Sequence, residues 1–178
     1  MRIVAGTSRG RRLVVPDGTD VRPTSDRVRE SVFNALYSLD DAVDGATVLD
    51  LFAGTGALGL EALSRGAAHV TFVENNREAA VALTTNIESL GYAQQCKVIR
   101  SDARRWLAGA PNTRFDIALL DPPYAFAEWD SLLSGLAAGL AVVESDRAID
   151  LPPGWGLVRE RRYGTTVVQI LRSLATLE

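Results

Sequence analysis

The chain predicts an α/β fold: a mainly parallel sheet with helices on both faces, closed at its C-terminal end by an antiparallel hairpin. Three observations predict it. From residue 47 onward, short β-branched runs alternate with segments of helical periodicity. A glycine loop, Gly54-Thr55-Gly56-Ala57-Leu58-Gly59, joins the first of those runs to the first helical segment. Two later strand-like runs, 155–162 and 165–171, are separated only by Tyr163-Gly164, too few residues for a parallel crossover.

Each element has a local reason. Residues 2–5 and 11–15 are short β-branched runs around Gly6-Thr7-Ser8-Arg9-Gly10, which predicts a small hairpin. Thr24, Ser25 and Asp26 are helix-start signals, and Val28, Val32, Leu36 and Leu39 recur at helical spacing after them. A loop over 40–45 follows. Strands are then expected at 47–52, 70–74, 97–101, 115–120 and near 140–144. Between them come a helix over 57–65 stopped by Gly66, one over 77–90 stopped by Gly91, a short helix at 103–107 and another near 128–136. The reading is one domain over 1–178: a hairpin-and-helix extension at 1–40 and a core at 45–178.

Composition narrows the class. With 178 residues, 47% of them hydrophobic, the chain can bury one core but is too short for two ordinary domains. Arg2, Arg9, Arg11 and Arg12 interrupt any apolar leader after Met1, and no run approaches the roughly 20 apolar residues of a membrane span. A cytoplasmic protein without membrane contact is expected. The single cysteine, Cys96, excludes an internal disulfide framework; the single histidine, His69, falls at a strand start and leaves too few soft ligands for zinc, so no metal is expected. A net charge of -3 argues against a wholly basic nucleic-acid binder, yet residues 1–15 hold four arginines and no acid. Arg159, Arg161 and Arg162, around Glu160, are read as guarding an edge strand against pairing with other chains.

The glycine loop matches G-x-G-x-x-G, with Glu74 about 20 residues on, the spacing of a dinucleotide site. Taken alone it says NAD. The strand feeding it, however, ends in Asp50, and a carboxylate there would face the pyrophosphate. Two unit charges about 4 Å apart at an effective dielectric of 20 interact by roughly 4 kcal/mol, repulsive for an anion and attractive for a cation. Asp50, Glu74, Asp102 and Asp121 each fall at or just past the C-terminal end of a successive strand, the edge where open α/β sheets bind ligands. Such a row suits S-adenosyl-L-methionine, which joins an ammonium, a ribose diol, an adenine amine and a sulfonium. Gly54 and Gly56 admit close backbone approach, Glu74 accepts the ribose hydroxyls and Asp102 the adenine amine. Phe52, Ala53 and Thr55 of the loop, with Asn75 and Ala103 beside the acids, complete the expected donor site. For Asp102 a helix cap is the alternative.

The strand over 115–120 closes in Asp121-Pro122-Pro123-Tyr124. Pro122 forces Asp121 toward an extended conformation, and two fixed φ angles hold the carboxylate and carbonyls with little freedom. An exocyclic amine of a nucleobase has its lone pair delocalised into the ring, so its hydrogens must be engaged and its nitrogen aimed at the methyl group. Asp121 and the Pro122 carbonyl can do that, and Tyr124 offers a face for an extruded base.

At this point DLFAGTG, VEN, SDA and DPPY, in that order, resemble the amino-methyltransferases of the Rossmann-like class I group, which act on exocyclic nitrogens of adenine, guanine or cytosine. RIVAGTSRGRRL, RPTSDRVRESVFNAL, GALGLEALSRGA and RERRYGTTVVQIL extend the likeness over nearly the whole chain: it is similar to the RsmD family, bacterial methyltransferases of guanine N2 in 16S ribosomal RNA. The resemblance implies a seven-stranded sheet and, as partner, 16S rRNA in the small ribosomal subunit or its assembly intermediate. Ser8 stands where the resemblance leads one to expect tryptophan. Arg9, Arg11 and Arg12, with Arg22, are the candidate RNA phosphate contacts, and a monomer is expected. The rival readings are a DNA adenine-N6 methyltransferase sharing DPPY, an NAD-dependent oxidoreductase, and a noncatalytic RNA-binding or assembly factor on the same fold.

Overall fold

The structure, a computed structural model, describes residues 1–16, 25–39, 42–109 and 113–175. Arg22 and Thr24 lie outside the described residues. Seven strands form one sheet: β1 (Thr47–Leu51), β2 (His69–Val73), β3 (Cys96–Ile99), β4 (Phe115–Leu120), β5 (Ala138–Ser145), β6 (Trp155–Tyr163) and β7 (Thr166–Ser173). Their order is β3-β2-β1-β4-β5-β7-β6. β1 to β5 run parallel, while β7 is antiparallel to both β5 and β6. The chain leaves β1 toward β2 and β3, then returns to place β4 on the other flank, so a topological switch point opens between β1 and β4.

β1, β2, β4 and β5 are buried on both faces, β3 at the margin is not, and alternate residues feed two cores. Val48, Val70, Phe72, Ile117, Leu119 and Val142 pack with α1 (Asp26–Tyr37), α2 (Ala57–Ser64) and α3 (Arg77–Leu90). Leu49, Leu51, Val73, Ala118, Leu120 and Val143 pack on the other face, with α4 (Ala103–Gly109) and α5 (Trp129–Ser134). Each fully buried leucine contributes roughly 1.5–3 kcal/mol. The helix expected over 77–90 forms with those bounds because both ends are specified: the Asn76 side chain accepts from the Ala79 N–H, and Gly91, at φ 78°, ends the helix in the left-handed region. At α1, Ser25 Oγ likewise accepts from the Val28 N–H at 3.2 Å.

The small N-terminal hairpin forms, with pairing too short for two full strands. A single antiparallel bridge, Arg2 with Arg12, is present. Around it the two runs bond to each other, Ile3 N–H to Arg11 C=O at 2.9 Å, Leu13 N–H to Met1 C=O at 3.1 Å and Gly10 N–H to Ile3 C=O at 2.9 Å. Helix side chains take further backbone groups: Glu61 accepts from the Val4 and Ala5 N–H groups at 2.8 and 3.0 Å, and Asn86 accepts from Val14 N–H at 2.7 Å and donates to Val14 C=O at 3.0 Å. Ser8 is buried at the turn, its hydroxyl 2.7 Å from Tyr92 Oη and its N–H donating to Ser64 Oγ.

Glu61, in the middle of α2, is the anchor of this extension. It is fully buried, as is Arg29 of α1, whose Nε donates to Glu61 Oε2 at 3.3 Å; Arg65 Nε donates to Oε1 at 2.8 Å. The Arg65 guanidinium also lies 5.1 Å from the Phe33 ring centroid, a second tie between α1 and α2. Two backbone and two guanidinium donors thus offset the desolvation of one carboxylate. Glu61→Gln keeps the shape but leaves Arg29 beside a neutral amide. Because Arg29 keeps its ion pair with Asp26 at 2.9 Å, we expect a loss of roughly 1.5–3 kcal/mol in urea denaturation, the scale of hydrogen bonds to a charged group.

Candidate active site

At the carboxyl edge of the parallel strands a cleft of about 680 Å³ opens. The sheet register explains what lines it. Phe72, Asp50, Leu119 and Val142 lie opposite one another across β2, β1, β4 and β5, on the face toward α2 and α3. Two residues further along β2, β4 and β5 the same alternation brings up Glu74, Asp121 and Glu144, while Phe52, past the end of β1 at φ 61°, breaks it and packs against the cluster on the α4–α5 face; all four line the cleft. The layer of Phe72, Asp50, Leu119 and Val142 is therefore followed by three acids.

On the β1–β2 side is the glycine loop. Phe52 enters it at φ 61°, the one non-glycine residue with positive φ among the described residues. This strained geometry costs on the order of 1–3 kcal/mol and is held from outside: the Phe52 ring meets Phe126 edge-on at 5.4 Å, and Phe126 meets Trp129 at 5.0 Å. Ala53, Gly54 and Thr55 line the cleft, and a Cβ on Gly54 would meet nothing within 4 Å. Gly56 does not line it. It initiates α2 at φ 87°, and a Cβ there would stand 2.3 Å from Leu83 Cδ1, so its part is helix packing. Gly59 is required for the same kind of reason: a Cβ there would stand 2.3 Å from Phe72 Cε1 and 2.9 Å from Asp50 Oδ2.

The expected acids divide into different roles. Asp50 is 1% exposed and its Oδ2 accepts from the Gly59 N–H at 2.8 Å. Burial pushes its pKa up from 3.8 to about 8; the Gly59 bond opposes the rise, and the Asp121 and Glu74 charges add to it. At neutral pH Asp50 is thus mostly protonated, and the countercharge expected of it is small; it fixes α2 against β1 instead. Glu74 spans the loop: Oε2 accepts from Gly54 N–H and Oε1 from Asn76 N–H, both at 2.6 Å. Asp102 takes the capping role, its Oδ1 accepting from Arg105 N–H at 3.0 Å, while still lining the cleft with Asn75 and Ala103.

On the β4–β5 side, Asp121, Pro122, Pro123 and Tyr124 all line the same cleft. Phe126 N–H donates to Pro123 C=O at 2.8 Å, which closes the turn with the second proline's carbonyl and leaves that of Pro122 outside it. Tyr124 is 39% exposed at the mouth, and its hydroxyl is 3.2 Å from Thr166 Oγ1 at the start of β7. Reading the sequence missed Met1, Leu58, Ser101, Arg104, Phe126, Glu128 and Glu144 of the lining. Arg104 and Glu128 form an ion pair across the rim. Glu144 had a signal: the strand-end rule that selects Asp121 applies equally to the expected strand near 140–144.

Of the candidate RNA contacts, Arg9, Arg11 and Arg12 are not brought to this cleft. Thr7 N–H donates to the carbonyl of Ser64, the last residue of α2, whereas the cleft lies beyond the first. An eight-residue helix spans about 12 Å, which separates the turn carrying Arg9 from the site. Arg11 donates to Ser89 C=O near the end of α3 at 2.6 Å, and Arg12 is exposed beside Arg2.

Asp50 supplies a pH test. A carboxyl whose native pKa is raised contributes its full stability below its unfolded value of 3.8 and loses it as pH rises through about 8. Asp50→Asn keeps an acceptor for Gly59 but cannot ionise. Its unfolding free energy relative to wild type should therefore grow from about pH 5 to about pH 9 in parallel urea titrations; a constant difference would mean that Asp50 is ionised throughout.

The pattern of a family described as conserved hypothetical protein 95 matches residues 1–172. Ribosomal RNA small subunit methyltransferase D of Escherichia coli K12 is 38% identical over 180 residues, which cover 96% of this chain and 88% of that one. The protein of the same name from Haemophilus influenzae is 35% identical, covering 92% and 89%. The solved structure of Escherichia coli yhhF superposes with a TM-score of 0.87 at 37% identity, covering 99% of both chains. With the motifs of its cleft, a family match over nearly its whole length and relatives at this coverage, the chain belongs to the RsmD family and carries its Rossmann-like methyltransferase fold.

Proposed function

We propose that this protein methylates ribosomal RNA with S-adenosyl-L-methionine as donor, and that the acceptor is the exocyclic N2 of a guanine in the 16S rRNA of the small subunit, the guanine-966 type of reaction. The observation that carries the reading is that the glycine loop and the Asp121–Tyr124 segment face one cleft from opposite sides of the switch point. Relatives of the same name at 35–38% identity support it.

The residues present suit the donor. Gly54 turns an open, Cβ-free face to the cleft, and Glu74 and Asp102 carry acceptor capacity beyond the backbone N–H groups they already hold. Glu74 and Asn75 would hold the ribose, Asp102 and Ala103 the adenine, and Phe52, Ala53 and Thr55 the walls around it. When bound, S-adenosyl-L-methionine supplies a methyl group already activated on a sulfonium.

The chain supplies orientation. Asp121 and the Pro122 carbonyl engage the hydrogens of the amine, so its nitrogen is aimed rather than solvated. Tyr124, its hydroxyl fixed to Thr166, presents a ring on which the extruded base stacks. The Phe52–Phe126 contact shields the cleft where the two halves meet. The amine sheds one proton after transfer, to Asp121 or past it to water; Asp121 is a positioner first and a base second. An unpaired guanine suits the site, because A-form duplex hides base edges. Arg9 and Arg12, on the extension, would touch RNA remote from the target nucleotide. We propose that the enzyme acts as a monomer.

Incubation of labelled donor with unmodified small subunits, free ribosomal RNA and DNA, followed by mapping of the labelled nucleotide, tests the reading. Label at guanine N2 in the small subunit is expected; label at adenine in DNA, or none anywhere, would overturn it. Asp121→Ala should lower kcat/KM about a hundredfold or more, and Tyr124→Ala about ten- to a hundredfold, the loss of one stacked base.

A further inference from the structure

We infer that Glu144 reads the Watson–Crick edge of the target base and makes the site selective for guanine. The inference rests on the proposed transfer to an amine held by Asp121. Glu144 is only 7% exposed, yet it lines the cleft together with Asp121 and Tyr124. The pairing of Leu120 with Val143 brings it level with Asp121 on the neighbouring strand and on the same face. It lies on the side of Asp121 away from the glycine loop, since the sheet runs β2-β1-β4-β5. Tyr124, which follows β4, reaches Thr166 on β7, and β5 lies between those two strands. A base stacked on Tyr124 with its amine at Asp121 therefore has the end of β5 beneath its remaining edge.

The chemistry of that edge separates the bases. Guanine presents two adjacent donors, the N1–H and the N2 amine, to a pair of carboxylates that only accept when ionised. Adenine presents its amine beside a bare N1 lone pair, and cytosine its amine beside a bare N3. A carboxylate facing either lone pair is repelled. Sites built around a hydrogen bond reject analogues that lack the hydrogen by large factors. Asp121 thus holds the group that reacts, while Glu144 takes the neighbouring N1–H that only guanine offers.

A base analogue isolates this contact. 2,6-Diaminopurine keeps the N2 amine but has an unprotonated N1. Small subunits are reconstituted with ribosomal RNA ligated to carry either guanine or 2,6-diaminopurine at the mapped nucleotide. Wild type should favour guanine about a hundredfold or more in kcat/KM. Glu144→Gln should slow transfer to guanine and bring the ratio toward unity, because its amide N–H can donate to N1; Glu144→Asp should keep the preference at a lower rate. Binding of S-adenosyl-L-methionine, read by calorimetry, should be unchanged in both. Equal slowing of both templates in the glutamine variant, or equal use of both by wild type, would overturn the role of Glu144 with methyl transfer itself intact. A wild type that labels neither template would overturn the guanine reading and this inference together.

Discussion

A single carboxylate, that of Glu61, decides how the first third of the chain meets the rest. An ion withdrawn this far from water is tolerated only when its lone pairs are filled, and here the donors come from three places: the backbone at Val4 and Ala5, Arg29 on α1, and Arg65 one turn along α2. α2 itself is set by Asp50 through Gly59. A continuous chain of hydrogen bonds therefore runs from the N-terminal segment through α2 to the first strand, and Met1 stands against the cleft. The extension is built into the wall of the site.

The layered register of the sheet explains the chemistry above it. Parallel strands covered on both faces have no polar side, so the first position at which a charged side chain can be solvated is the strand end. Because neighbouring strands end at nearly the same level, acids placed there converge without any loop having to carry them. The aromatic contact between Phe52 and Phe126 then couples the glycine loop, which carries backbone strain, to the turn after the two prolines.

How far these features were legible depended on the range of the interaction. Helix 77–90, with Asn76 before it and Gly91 after it, is specified by residues within four positions of each end, and it formed with the expected bounds. The antiparallel closing pair was legible from the brevity of Tyr163-Gly164. The small N-terminal hairpin was legible from its two runs and turn, but not its anchoring to Glu61 and Asn86, more than fifty residues away in sequence. Asp50 lines the cleft, but the burial that raises its pKa is a matter of packing that the sequence does not show. Glu144 was legible by the same strand-end rule as Asp121, since it closes the expected strand 140–144, but its burial against the cleft shows only in the packing.

The insertion of β7 between β5 and β6 has a bearing on biosynthesis. β1 to β4 and the loop that would cradle the methyl donor are translated before the strand that anchors Tyr124. A nascent chain still lacking β7 would have the donor pocket but an untethered phenol, and β5 would stand as a bare sheet margin. Completion of the cleft wall that holds Tyr124 is thereby deferred to the final stage of synthesis.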